Sequence, residues 1–254
     1  MKKILLILIL ISPFNTFAVI AFDAVTSSIC SGCGTSKTIS HDPVAIPDTV
    51  VGCSMGAANP GVGGISSMTY GGQTMTEITG ATLTGVQNGD IAIWYLVNDG
   101  SLTASAADFV VTWNNSVPSD FAGIAVLTLT GSGAGDDGTA SSQNTADLTL
   151  TVPNVASDSW MVDCFFIASD TTVTTSPGTD QTERWDLTLA SNRQGTGSTE
   201  PSPTADSIMS YTLGGSKAVG YGAAEIKISA GVVGGGEEQP IWHLFQRILN
   251  YFWV

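Results

Sequence analysis

The tightest pair of reactive side chains in the chain is Cys30-Ser31-Gly32-Cys33. Two thiolates at that spacing are half of a zinc site or a redox dithiol. Zinc needs two further Cys or His ligands close in space, and Cys53 and Cys164 each stand alone, with no second paired motif. A redox dithiol opens a helix within a βαβ unit, and no such unit is visible. In an oxidising compartment a small disulfide loop, Cys30–Cys33, is the simplest reading. Cys53 and Cys164 lie in apolar segments as either a buried disulfide or two buried thiols, because four cysteines allow three pairings.

Acid–base chemistry has little to work with. Sandwich glycosidases of the laminarinase kind carry E-x-D-x-x-E, whose alternate strand positions aim carboxylates into one groove, and that pattern is absent. Glu183 and Asp186 are three apart, a spacing that sends them to opposite faces of a strand. No G-x-S-x-G elbow occurs. The histidines are His41 and His243, too few for a histidine metal cluster. His41 ends an expected strand and reads as a surface or turn residue rather than a general base.

Two groups of residues suit ligands. Asp136 and Asp137, within Gly135-Asp136-Asp137-Gly138, offer oxygens of the kind that hold Ca²⁺, although Asp-Gly pairs also simply form turns. Asp42 and Asp48, around Pro43 and Pro47, are a weaker version. Trp113 and Trp185 have aromatic faces that suit a sugar ring, set against plain core or edge packing. Trp94 and Trp160 sit within apolar strands and read as core.

The segments that must position these residues are strands. Charged residues are only 12% of the 254, and Gly, Ser and Thr fill the spaces between apolar blocks. Small polar residues satisfy turns, whereas helices usually expose Glu, Lys and Arg. The blocks at 19–24, 35–41, 49–55, 65–70 and 73–78 read as strands, with Gly71-Gly72 as the turn of a hairpin. Residues 91–97 are apolar on both faces, as in a central strand covered from both sides. Further strands are expected at 108–113, 122–130, 148–152, 160–168, 184–189, 208–213 and 218–228. The Ser/Thr/Gly-rich stretches 131–146 and 191–205 read as surface loops. The sum is an all-β domain over 19–230, two antiparallel sheets packed as a sandwich.

The ends differ from this pattern. Lys2 and Lys3 precede an unbroken apolar run from Ile4 to Ile11, then Pro13 and small residues at Thr16 and Ala18, which read as a signal peptide over 1–18. The run is short for a membrane span. This leader places the protein outside the cell or at its surface. The formal net charge of −14 repels phosphate backbones and argues against nucleic acid, and loss of Lys2 and Lys3 would deepen it. A Gly/Glu-rich linker over 231–240 leads into 241–254. There Ile241, Leu244, Phe245, Ile248, Leu249 and Phe252 fall on one face of an expected helix, with Trp242 and Trp253 at its edges. Such an amphipathic aromatic tail suits docking on a protein partner or a membrane interface.

Ile20-Ala21-Phe22-Asp23-Ala24, Lys37-Thr38-Ile39-Ser40-His41 and Val50-Val51-Gly52 occur in order along the chain. So do Met68-Thr69-Tyr70-Gly71-Gly72-Gln73-Thr74-Met75, Ile93-Trp94-Tyr95-Leu96-Val97 and Ala224-Glu225-Ile226-Lys227-Ile228. This set is similar to a recurrent β-sandwich domain of bacterial, phage and metagenomic surface proteins, over about residues 19–229. The resemblance implies a concanavalin-type jelly roll with a role in display, adhesion or glycan binding, and it brings no catalytic residues. The expected function is therefore a non-catalytic secreted or surface-displayed module. The alternatives are a lectin-like carbohydrate binder, with or without Ca²⁺, and a polysaccharide hydrolase. The expected partners are a glycan or a surface protein, with no other cofactor.

Overall fold

The computed structural model describes residues 19–56, 64–84, 90–118, 121–168, 174–189, 193–201, 203 and 207–229. The expected leader, linker and tail helix, with every tail residue named above, lie outside these. Among the described residues there are strands and no helix.

The strands in chain order are β1 (Ala21–Ile29), β2 (Gly34–His41), β3 (Thr49–Gly56), β4 (Ile65–Tyr70), β5 (Gln73–Thr74), β6 (Thr76–Glu77), β7 (Asp90–Val97) and β8 (Ala107–Val117). They continue as β9 (Ala122–Thr130), β10 (Ser132–Val152), β11 (Trp160–Ile167), β12 (Ser176–Pro177), β13 (Thr182–Leu189), β14 (Arg193–Pro201) and β15 (Ser207–Ile228). They form three antiparallel sheets, not the expected two. The central sheet runs β1-β9-β3-β7-β6, a front sheet runs β2-β8-β4-β5, and a back sheet runs β10-β15-β11-β14-β13 with β12 beside β15.

The third sheet follows from strands that are apolar on both faces. In a strand, successive side chains point to opposite sides. On β7, Ile91, Ile93 and Tyr95 pack toward the back sheet, while Ala92, Trp94 and Leu96 pack toward the front. On β9, Ala125, Leu127 and Leu129 face back, and Ile124 and Val126 face front. A sheet apolar on both faces needs two covers, because each large aliphatic side chain left in water forgoes about 1.5–3 kcal/mol. The two-faced pattern of 91–97 is thus borne out, but it calls for a three-layer stack.

The back sheet has a further cover. Val162, Cys164 and Phe166 of β11 point to the central sheet, whereas Met161, Phe165 and Ile167 point outward. Against that outward face pack Leu148, Leu150 and Val152 from the end of β10, and Met209, Tyr211 and Leu213 from the start of β15. The β10–β15 ribbon changes register between Thr145 and Asp147, and its outer half lies on the sheet that its inner half helps to build.

Where they are described, both expected glycine-rich loops are mostly strand. Residues 132–146 lie in β10 and pair residue by residue with β15 from Gly138↔Ala224 to Thr145↔Lys217. Most of 191–205 is β14. Small residues are needed there because neighbours fill the space above them: a Cβ on Gly197 would overlap the Trp185 indole and press on the Asp163 carbonyl. Strand pairing set by the tertiary fold overrides the low β-propensity of Gly and Ser. The Gly71-Gly72 turn stands as expected, with both φ values positive, as a two-residue hairpin loop requires. The strand after it divides, since β5 stays with the front sheet and β6 joins the central one.

Both cysteine pairs are closed. Cys30–Cys33 ties the connection from β1 to β2, and Cys53–Cys164 joins β3 to β11 across the central core.

Candidate functional site

A cavity of about 260 Å³ opens between the central and front sheets. Glu77 of β6 and Trp94 of β7 are direct cross-strand partners, so their side chains share one face. Ala92 lies on the same side of β7 and forms the floor with the Trp94 ring. Thr82 and Thr84 complete a second wall. They flank Leu83, which bridges to Ile91 and packs toward the opposite core, and so the two threonines turn to the cavity. Gly64, Ile65 and Asn114 close it from the front sheet. A Cβ on Gly64 would stand 3.4 Å from Thr84 Cγ2 and 3.7 Å from Asn114 Nδ2, which marks how tightly these three meet.

Two polar atoms on residues of this lining, Trp94 Nε1 and Thr82 Oγ1, are shut off from solvent, the cavity included, and have no hydrogen-bond partner. Such an atom costs about 1–3 kcal/mol relative to a paired one. Glu77, by contrast, is exposed at the mouth. Trp94, expected to be core, packs partly buried against the core between the central and front sheets and also lines the cavity. The cross-strand pair with Glu77 spans seventeen positions of sequence, which no local pattern announces.

The residues singled out from sequence lie elsewhere. Trp113 is 3% exposed in the core between central and front sheets, and its Nε1–H donates to Ser54 Oγ at 3.3 Å. Trp185 is 5% exposed in the core between central and back sheets, over Gly197. Neither presents an open ring face on a surface. Asp136 forms an ion pair with Lys227, and Asp137 is exposed beside it on β10. Among the described residues no group of three or more His, Cys, Asp or Glu side chains converges as a metal site. Asp48 accepts a hydrogen bond from Gly131 N at 2.5 Å.

His41 is a correction: it is fully buried, not a surface residue. Its Nδ1 is 2.9 Å from Thr26 Oγ1 and its Nε2 is 3.2 Å from Thr128 Oγ1. Thr128 in turn donates to Asp23 Oδ2 at 2.8 Å, and Asp23 also accepts from Val44 N and Ala45 N. The chain of bonds links β2 of the front sheet to β1 and β9 of the central one. Burial holds His41 below the usual histidine pKa, against the pull of Asp23 and Asp42. Tyr70 packs edge-on to the His41 ring, and burial, with Asp23 and Asp42, pushes its phenol up to about 12.

A second polar group is buried in the back sheet. Asp163 of β11 accepts from Ser198 N at 2.6 Å, Ser198 Oγ at 2.9 Å, Tyr221 OH at 2.7 Å and Gln181 Nε2 at 3.3 Å. Gln181 Oε1 accepts from Ser210 N at 2.8 Å, which connects Asp163 to the folded-over half of the ribbon. Burial pushes the Asp163 carboxyl up to about 7 despite these donors. With its acceptor positions filled and no exposure, this carboxylate holds structure together and does not face a ligand. Sequence reasoning passed over it because a single Asp inside an apolar run announces no partners.

No protein-family model matches the chain, and no curated protein matches it in sequence. Among solved structures it is similar to the major capsid protein P2 from bacteriophage PM2, at 8% identity and a TM-score of 0.26. The likeness covers 82% of this chain and 97% of that one. A likeness so slight bears on neither fold family nor function.

Proposed function

We propose that the protein is an exported, non-catalytic β-module, displayed at a surface for structure or adhesion, that holds a small ligand in the cavity beside Trp94. The observation that carries the reading is the cavity between the central and front sheets, with the Trp94 side chain and Ala92 on one side and Glu77, Thr82, Thr84 and Asn114 around it. Concave sites with an apolar floor and a few convergent polar groups are the usual form of small-molecule sites. Support for export comes from the leader-like start of the sequence and from two disulfides, which persist in oxidising compartments. The stacked sheets and the Cys53–Cys164 link suit a rigid display element. On its sequence pattern, segment 241–254 would dock the module on a partner protein or membrane surface.

The cavity reading is tested by screening a library of small polar compounds for a rise in melting temperature of the mature chain. Compounds that stabilise the wild type and leave Trp94→Phe unmoved support it. A library that stabilises both alike, or neither, contradicts it. Cell fractionation of a chain lacking 237–254 tests docking, which predicts loss of surface association on deletion.

A further inference from the structure

Among the described residues, five large apolar side chains stand exposed: Val19, Val44, Ile46, Val97 and Ile208. Single residues of this kind are normal on a surface, whereas a contiguous patch marks a contact site. Four of the five gather at one end of the central sheet. Loop 42–48 crosses that end: Val44 N and Ala45 N donate to Asp23 of β1, and Asp48 N donates to Leu129 O of β9. Just past β7, Asn98 donates from its N to Asp48 O and from Nδ2 to Pro47 O, which sets Val97 beside the loop. The Val19 carbonyl lies over Gly131, and Gly131 N donates to Asp48 Oδ2.

The loop is built to hold its apolar side chains outward. Pro43 and Pro47 are buried, while Val44 is 81% and Ile46 59% exposed. Proline fixes φ at both ends, and Asp23 takes the two N–H groups of Val44 and Ala45 between them. Asp42, Asp48 and Asp99 stand two positions from Val44, Ile46 and Val97, and no Lys or Arg occurs in 42–48 or 97–100. Such an acidic rim repels an anionic lipid surface and suits an apolar partner that carries a positive charge.

One segment of this chain fits that description and starts from the same end. The last described residue, Ser229, donates from its N to Gly131 O, so the chain leaves the fold beside Val19 and Asp48. Residues 230–240 then separate Ser229 from Ile241, and a Gly-rich chain of that length spans about 18 Å on average. By its sequence pattern, 241–254 carries an apolar helical stripe from Ile241 to Phe252, with Arg247 as its one Lys or Arg. A stripe of that length rises about 16 Å in a helix. The four strand ends crossed by loop 42–48 span about 14 Å at the usual strand spacing.

Independently of the cavity reading, we propose that the stripe from Ile241 to Phe252 docks on Val19, Val44, Ile46 and Val97 of its own chain, with Arg247 toward the acidic rim. A partner or surface that takes the tail must first displace it from this base, so docking outside the molecule is gated by release. A short tether supplies an effective concentration in the millimolar range, so an intrinsic affinity of about 0.1 mM keeps the tail docked about ten to one.

The test is tryptic cleavage after Arg247 in the full mature chain, followed by mass spectrometry, with a synthetic peptide of residues 237–254 as the unprotected standard. The wild type should be cut about tenfold more slowly than the peptide. Val44→Ser combined with Ile46→Ser should raise the rate to that of the peptide. Leu244→Ser combined with Ile248→Ser should do the same from the other side of the contact. Ile208→Ser removes an exposed apolar residue elsewhere and should leave the protection intact. A retained melting transition shows that each variant is folded. Equal cleavage of wild type and peptide, or protection indifferent to the Val44 and Ile46 changes, would overturn the proposal. So would protection that grows with protein concentration, which assigns the stripe to a second copy. Loss of surface association on deletion of 237–254 reports on docking outside the molecule, and Arg247 protection reports on this contact, so either can fail alone.

Discussion

Cys53 and Cys164 are 111 positions apart in sequence, yet their Cα atoms stand 6.8 Å apart across the core that joins the central and back sheets. Each lies mid-strand among buried neighbours, Cys53 on β3 and Cys164 on β11. A link over so long a loop restricts the unfolded chain strongly, which in the chain-entropy account is the main source of disulfide stability.

Replacing both residues by Ala should therefore lower unfolding free energy by about 2–5 kcal/mol. Urea titration of the variant beside the wild type measures it. A loss below about 1 kcal/mol would mean that apolar packing alone holds the two sheets together. Replacement of Cys30 and Cys33, which are only three positions apart, should cost less.

Gly197 lies under the Trp185 ring, so Gly197→Ala forces the indole or the β13–β14 pair to move. Overpacking of this kind costs about 1–3 kcal/mol. Denaturant unfolding should show it, and Gly197→Ala combined with Trp185→Phe should recover part of the loss. Equal stability of the single variant and the wild type would show that the strands part there without effort.

Asp163 makes stability depend on pH. Its folded carboxyl sits at about 7, above the ordinary value of 3.8 that the unfolded chain restores. The folded state thus binds a proton that the unfolded state has released, and stability falls as pH rises from about 4 to about 7. Asp163→Asn removes that fall. The difference in urea midpoint between wild type and variant should move in the variant's favour across this window, and parallel curves would contradict the prediction.

His41 has the reverse sign. Burial lowers its folded pKa below the ordinary value of 6.5, so its contribution is present above that pH and is lost as pH falls through the folded value. The imidazole resonances of His41 in NMR should titrate below those of an exposed histidine. His41→Gln should flatten the acid limb of the stability curve. A normal titration would mean that Thr26 and Thr128 leave the ring open to water.

Strand content was legible from sequence because apolar blocks and turn residues are local signals. Residues 91–97 even disclosed that their strand is covered on both faces, and Cys30–Cys33 was readable from spacing. The number of sheets was not readable, since covering both faces of β7 depends on which distant strands arrive. The Gly- and Ser-rich stretches looked like loops because their bulk is supplied by other segments, as Trp185 supplies it over Gly197. The same limit hid the cavity. Trp94 inside an apolar run looks like core until Glu77 is seen opposite it. His41 looked exposed because the threonines that bury its nitrogens come from β1 and β9.

The central claim is that the cavity beside Trp94 takes a small ligand, and the indole resonance of Trp94, whose side chain lines it, reports on occupancy. In ¹⁵N-labelled protein, with the resonance assigned by Trp94→Phe, titration with a compound that raises the wild-type melting temperature should shift that signal to saturation at about millimolar concentration. The indole signals of the buried Trp113 and Trp185 should stay in place. A Trp94 signal unmoved at about 100 mM, or equal shifts in all three, would contradict the account.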